Sequence, residues 1–270
     1  MADVKVNPIT EQPVSTDTSE MIVASERADT YEPKPESVSK ALDAIAWLEA
    51  HRTEKDRENL IRFGIYAKNA IGVSVSNIQA LAKKLGRDHD LAMAAWDTGL
   101  YEARMLCAFI DEAGRVTPEQ MDRWCREFDN WGICDTICFH LFDRTPYAWQ
   151  KVATWRHEDG EFAKRAAFAL LASLAGHDKT ASDDQFLEGL QFIEIAAQDE
   201  RNFVKKAVNW ALRRIGGRSP VLRAAAIEVA QRLAASPQAA PRWVGKDALR
   251  EFMRPKAIRS RTDGTSTEAF

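Results

Sequence analysis

The sequence predicts an all-helical protein, an α-solenoid in which short helices stack as pairs. Apolar residues recur at three- and four-residue spacing from residue 39 to residue 253. Glycine and proline residues interrupt these runs at short intervals, and no stretch alternates polar and apolar residues as a half-buried strand does. About thirteen short helices with short connections indicate a repeat of about 35–45 residues. The residues leave an irregular helical bundle open as the alternative.

The predicted helices follow one another with stop and start signals between them. The first begins after a capping residue, Ser39, and carries Leu42, Ile45 and Leu48 on one face. Glycines are expected just past helix ends and prolines near helix starts, where their backbone preferences cost least. The runs cover residues 39–51, 57–68, 74–86, 89–99, 101–114, 117–130, 131–143, 145–155, 161–176, 183–198, 202–217, 219–236 and 240–253. The punctuating residues are Gly86, Gly99, Gly114, Gly176, Gly216 and Gly217, with Pro118, Pro146, Pro220 and Pro241.

The two ends of the chain differ in composition from the helical part. Residues 1–37 mix proline, hydroxyl and acidic residues without periodicity and are expected to form a disordered acidic leader. Residues 38–254 form the predicted repeat domain, and residues 255–270 a flexible basic tail. No apolar run approaches the roughly 20 residues that span a bilayer, and no signal peptide is evident. We therefore expect a cytoplasmic protein, associated with the nucleoid in a bacterium. Solenoids of this size are often monomeric, so we also expect a monomer.

The four cysteines indicate buried thiols. Cys107, Cys125, Cys134 and Cys138 all lie inside apolar helical patterns. The spacing from Cys134 through Cys138 to His140 resembles part of a metal site, but no second ligand pair has zinc spacing. Phosphate-loop, dinucleotide-binding and hydrolase motifs are missing as well. We expect no metal and no organic cofactor.

The net charge conceals an uneven distribution. The chain has 37 basic and 40 acidic residues, a net charge of −3, which by itself argues against nucleic-acid binding. Divided along the chain, residues 1–40 carry −4, residues 41–200 carry −9 and residues 201–270 carry +10. Such asymmetry indicates a nucleic-acid or membrane partner. A scaffold that binds peptides is the alternative, and it would need no such basic excess.

The predicted helix over residues 202–217 carries cations and aromatic residues away from its apolar face. Trp210 points about 120° from the aliphatic stripe, at about 100° per residue. Cations bind phosphates and a flat ring stacks on a base or sugar, which favours DNA contact. The alternative is that Trp210 packs on the adjacent repeat. The candidate contact residues are Phe203, Lys205, Lys206, Arg213 and Arg214.

The predicted helix over residues 131–143 places a carboxylate beside an indole. Trp131 and Asp135 are one turn apart, and Cys138 and Phe142 fall on the same face. This pair could stabilise a cation by charge and by cation–π attraction. Alternatively, Asp135 accepts hydrogen bonds from a neighbouring helix N-terminus.

Four segments together resemble the HEAT-like-repeat DNA alkylation repair glycosylases. They are DHDLAMAAWDTGLYEARML, FDNWGICD, EFAKRAAF and RNFVKKAVNWALRRIG. The similarity covers roughly residues 41–254, and the block of the form [FV]-x-K-K-A-x-x-W-x-L-R is its most specific part. The resemblance implies a solenoid of HEAT-like helix pairs with a concave DNA-binding face.

The resemblance also implies roles for matching residues. Asp135 would be the catalytic aspartate, with Trp131 and Trp210 flanking the substrate, and Arg165 would lie near the phosphates. Some members have an aromatic pair before the K-K segment, whereas here Asn202 precedes Phe203. Gly132 costs helix propensity, about 1 kcal/mol, and is expected to admit a DNA strand closely.

The implied activity is excision of cationic N3- or N7-alkylated purines, such as 3-methyladenine and 7-methylguanine, from duplex DNA. The family cleaves the N-glycosidic bond without flipping the lesion into a deep pocket. The expected partner is double-stranded DNA containing alkylated bases. The alternative is a HEAT-like protein that binds bent or branched DNA without catalysis.

Overall fold

A computed structural model describes residues 33–254 of the protein, and thirteen α-helices and one 3-10 helix lie in this range. No strand occurs within it, which confirms the all-helical prediction. Apart from residues 33–37, the predicted leader and tail lie outside the described range. The helices are α1 (Pro35–Ala50), α2 (Glu54–Arg62), α3 (Val75–Leu85), α4 (His89–Asp97), α5 (Tyr101–Ile110), α6 (Pro118–Arg126), α7 (Trp131–His140), the 3-10 helix (Phe142–Arg144), α8 (Ala148–Trp155), α9 (Glu161–His177), α10 (Asp183–Ala196), α11 (Asn202–Gly216), α12 (Pro220–Ala234) and α13 (Ala239–Met253).

Alternate helices form one continuous layer. Each of α3, α5, α7, α9, α11 and α13 contacts the next one in this series. Asn209 of α11 donates to the Val244 carbonyl of α13 at 3.1 Å, and Gly216 lies against Phe252. These contacts join residues 35 and 36 positions apart, so α11 and α13 run parallel. The intervening helices α8, α10 and α12 pack on this layer. The architecture is therefore a solenoid of stacked helix pairs, as the sequence predicts.

The repeat is shorter and less regular than predicted. Helices α5, α7, α9, α11 and α13 begin at residues 101, 131, 161, 202 and 239, with spacings of 30, 30, 41 and 37 residues. The two short repeats contain the short helices α6 and α8, of nine and eight residues. The predicted range of about 35–45 residues is correct only for the C-terminal repeats.

The first helix begins earlier than predicted. It starts at Pro35, so Ser39 lies inside the helix and caps nothing. Proline suits the first helical turn because its missing N–H would have no partner there. Residues 35–37 therefore belong to the helical region.

The second helix ends well before the predicted position. The Thr53 hydroxyl accepts the Asp56 N–H at 3.1 Å and caps its start. Gly64 then adopts a φ of +73°, which stops the helix. Residues 63–74, part of which the sequence predicts as helix, form a loop.

Helix α9 is the centre of the packed layer. It buries twelve of its 17 residues against neighbours on both sides, because its sequence is apolar nearly all round. Gly176, predicted to follow this helix, lies inside it. A side chain there would overlap the guanidinium of Arg214, so the glycine leaves room for this side chain of α11.

All four thiols are buried, as predicted. Within residues 33–254, no group of three histidine, cysteine or acidic side chains could hold a metal ion. The same range contains no helix long and apolar enough to cross a membrane.

Candidate functional site

The site begins with a capped helix. The Asn130 side chain accepts the Ile133 N–H at 3.0 Å and fixes the start of α7 at Trp131. Asp135 follows one turn later, on the side of α7 that packs against α9. Local sequence therefore determines how the indole and the carboxylate lie relative to each other.

A buried ion pair forms the centre of the site. Arg165 of α9 binds Asp135 with two parallel hydrogen bonds, from Nε to Oδ1 at 2.8 Å and from Nη2 to Oδ2 at 2.6 Å. Asp135 is 7% exposed and Arg165 is 6% exposed. The third guanidinium nitrogen donates to the Phe203 carbonyl at 2.6 Å, which ties α7, α9 and α11 together. Burial opposes the charge of Arg165, but the adjacent carboxylate outweighs it and raises the pKa of the guanidinium.

Five half-buried aromatic residues lie on the three helices that this pair joins, and we call them the aromatic rim. Trp131 and Phe139 lie four residues before and after Asp135 on α7. The Trp210 ring of α11 stacks on Phe139 with centroids 6.5 Å apart. Phe162 and Phe203 meet at 5.3 Å between α9 and α11. The rim comprises Trp131, Phe139, Phe162, Phe203 and Trp210.

Two members of the rim were missed in the sequence. Phe139 continues the four-residue spacing of Trp131 and Asp135, a signal that could have found it. Phe162 is the second residue of α9, just as Phe203 is the second residue of α11. Some members of the resembled family have an aromatic residue before Phe203, where this chain has Asn202. In the structure, Phe162 supplies the aromatic partner of Phe203 instead.

The prediction that Cys138 and Phe142 share an accessible face with Trp131 and Asp135 is wrong. The helix ends at His140, and Phe142 lies in the 3-10 helix, fully buried against Trp124 and Trp155. Cys138 is also fully buried, and its thiol donates to a backbone carbonyl of α9 at 3.6 Å. Both residues belong to the core, because α9 covers Cys138 and the tryptophans of α6 and α8 cover Phe142.

Gly132 has a packing role. A Cβ atom there would lie 2.8 Å from the Tyr101 hydroxyl and 3.0 Å from Ile65. The position is buried by these neighbours, so the predicted close approach of a DNA strand at this glycine is wrong.

The predicted cations differ in what they contact. Lys206 is exposed. Arg213 donates to the side chain of Asn209 at 2.9 Å, and Arg214 lies against Gly176. The Lys205 ammonium lies 5.1 Å from the ring centroid of Trp243, on the side of α11 that faces α13. Lys206 is thus the exposed cation of this set, whereas the other three have neighbours within the protein.

Arg165 is a positioning group for Asp135 in this structure. Its burial and its three hydrogen bonds hold it among α7, α9 and α11. Asp135 is paired with this arginine and not with a helix N-terminus, the alternative that the sequence left open. A phosphate contact by Arg165 stays a prediction.

The fold and the site define a helical-repeat protein with a buried acid–arginine pair on the three helices that carry the aromatic rim. The model of the DNA alkylation repair enzyme family matches residues 44–252, and the chain belongs to this family.

Solved structures of other helical-repeat proteins are similar to this chain. One similar structure represents a new family of proteins related to the HEAT-like repeat DNA glycosylases with affinity for branched DNA structures. It is 19% identical, with a TM-score of 0.66 over 77% of this chain and 94% of that chain. A designed armadillo repeat protein in complex with the peptide (KR)4 is 13% identical, with a TM-score of 0.39 over 88% of this chain and 95% of that chain. Among curated proteins, no sequence matches this chain significantly.

Proposed function

We propose that the protein is a monofunctional DNA glycosylase that excises cationic N3- or N7-alkylated purines from duplex DNA. Membership of the DNA alkylation repair enzyme family supports this proposal. The observation that carries it is the fixed Asp135 carboxylate, which lies one turn from Trp131 and one turn from Phe139, on which Trp210 stacks.

The reaction requires few catalytic groups from the protein. An alkylated purine already carries positive charge, so the bond between C1′ of the sugar and the base nitrogen breaks with its electron pair on the base. Positive charge then develops on the sugar, where a carboxylate and aromatic faces stabilise it. Water adds to C1′ and loses a proton, which leaves the free neutral base and an abasic site. Trp131 and Trp210 would flank the sugar, and Asp135 would supply the negative charge.

Arg165 would act through Asp135. Its two hydrogen bonds take one lone pair on each carboxylate oxygen and fix the orientation of the group. The remaining lone pairs could face the sugar or the attacking water. Phosphates would be held by Lys206, with Arg213 and Arg214 turning toward the DNA backbone on binding.

One observation favours the alternative, a protein that binds bent or branched DNA without catalysis. Both oxygens of Asp135 are paired with Arg165, so the pair carries no net charge toward an incoming cation. The fold is also shared with the family described as having affinity for branched DNA structures.

Base release from a defined duplex tests the two functions. The wild type is incubated with DNA that contains one 7-methylguanine, and free base is quantified by chromatography. Asp135→Asn should lower the rate by about 100-fold or more, the size typical of a lost electrostatic contact. Asp129→Asn is the matched control, because Asp129 is an exposed carboxylate six residues away, outside the ion pair.

The outcomes separate the candidates. The glycosylase is supported if the Asp135→Asn variant no longer releases the base and the Asp129→Asn variant still does. Tight DNA binding by the wild type without any release supports the binding protein, and equal rates in both variants would remove Asp135 from the mechanism. Lys206→Ala should weaken binding to all sequences alike and reduce the salt slope by about one.

A further inference from the structure

An exposed pair of aromatic side chains lies in the loop between α2 and α3. Phe63 is 61% exposed and Tyr66 is 76% exposed. They are two of the three exposed aromatic residues in the described range. Exposed apolar side chains of this size mark surfaces that bind a partner. We call residues 63–70 the aromatic loop.

The backbone of this loop is firmly held. Ile65 is 5% exposed and packs against Gly132, and its N–H donates to the Leu60 carbonyl at 2.8 Å. Beyond the loop, the buried Glu102 carboxylate accepts the N–H groups of residues 71–73 at 2.8–3.3 Å. The rings of Phe63 and Tyr66 are therefore presented on a fixed backbone, which lowers the entropy cost of binding.

The loop is continuous with the aromatic rim. The Trp131 indole N–H donates to the Phe63 carbonyl at 3.1 Å. Since Trp131 is one turn from Asp135, any DNA strand that reached the rim would pass close to this loop.

The charge around the loop also suits DNA. Residues 52–70 contain five basic and three acidic residues, although residues 41–200 as a whole carry −9. All five basic side chains are exposed. They are Arg52, Lys55, Arg57, Arg62 and Lys68.

We propose that the aromatic loop binds unpaired nucleotides of a distorted duplex. Phe63 and Tyr66 would stack on bases, while Arg62 and Lys68 would contact the flanking phosphates. Bases within an intact duplex already stack on each other, so exposed rings gain most from bases that lack a stacked or paired neighbour. The inference rests on the proposed function only in taking DNA as the partner.

Binding to a bulged duplex tests the proposal. The probe is a duplex with one unpaired 2-aminopurine, whose fluorescence falls when an aromatic ring stacks on it. The wild type should quench it, and the Phe63→Ala/Tyr66→Ala variant should lose the quenching and raise the Kd at least about fivefold for each ring. Affinity for the fully paired duplex should change less than about twofold. The Phe63→Tyr/Tyr66→Phe variant should restore stacking, and Val221→Ala, which alters an exposed apolar residue on α12, should have no effect.

The proposal would be overturned by quenching that persists in the double alanine variant, or by a wild type that quenches no better than that variant. It would also be overturned if sedimentation showed a dimer that this variant dissociates, since the loop would then be a protein interface. The release of 7-methylguanine from paired DNA is measured separately. If no 7-methylguanine is released, the proposed glycosylase activity is ruled out, and the quenching measured with the bulged duplex still tests the aromatic loop.

Discussion

The Asp135–Arg165 pair predicts a large loss of stability when one partner is removed. Arg165→Met keeps the length of the side chain but leaves Asp135, 7% exposed, without its two charge-assisted hydrogen bonds. Breaking a buried pair in this way costs about 3–5 kcal/mol. In a domain of this size, 1 kcal/mol corresponds to about 2–4 °C in Tm, so we expect Tm to fall by about 6–20 °C.

A matched pair on the surface provides the control. Arg232 binds Glu194 with the same two-bond geometry, at 2.7 and 2.9 Å, but the two side chains are 55% and 36% exposed. Arg232→Met should cost less than about 1 kcal/mol. Thermal unfolding followed by circular dichroism measures both variants. If Arg165→Met lowers Tm no more than Arg232→Met, burial does not strengthen the central pair and our reasoning is wrong. In that case Asp135→Asn could also be assayed without concern for folding.

Three further changes test other parts of the structure. Gly245→Ala should destabilise the protein by about 3 kcal/mol or more in urea unfolding, because its Cβ would overlap the backbone of α12, whereas Gly114→Ala, with open space around it, should be neutral. Burial lowers the pKa of His140 to about 4, with help from nearby cationic residues. Between pH 6.5 and 4 the unfolded chain therefore binds a proton that the folded protein does not, and the free energy of unfolding falls as the pH is lowered through that window. His140→Gln should flatten this part of the pH profile, and an unchanged profile would contradict the assignment. Glu102→Gln should raise hydrogen exchange at the amides of residues 71–73, and unchanged protection would show that the carboxylate does not hold the loop.

The sequence predicts the helices well because most of them are amphipathic, with local caps. Thr117 and Ser219 each accept an N–H from the first turn of the next helix, directly before Pro118 and Pro220. The prediction fails after α2 because Gly64, with a φ of +73°, ends the helix inside the run that the sequence predicts as continuous. Glu102, about 30 positions away, then holds the backbone of residues 71–73, a contact that no local pattern reveals.

Part of the candidate site can likewise be predicted from local sequence, and part of it depends on tertiary packing. Trp131 and Asp135 are one turn apart on any helix, so their proximity can be predicted from sequence. The pairing of Asp135 with Arg165 requires the packing of α7 on α9. The resemblance to the HEAT-like-repeat glycosylases instead implies a place near the phosphates for Arg165.

Some of the basic residues near the C-terminus bind groups within the protein, although their charge suggests contacts with DNA. Arg218 donates to two backbone carbonyls at 2.8 and 3.4 Å, and its guanidinium stacks over Phe186. Arg223 donates to the Phe252 carbonyl at the end of α13. Arginines that satisfy carbonyls at helix ends add to the net charge without being available for phosphates. A count of charges cannot separate these two uses.

The buried cysteines have a consequence for a protein of this family. Alkylating agents are electrophiles, and the thiolate is the form of cysteine that attacks them. Burial raises the pKa of Cys107, Cys125 and Cys138, and Cys134 is also fully buried. The chain has four cysteines in all, so none presents a reactive thiolate to the solvent. The helical layer therefore shields all four thiols from electrophiles in the solvent.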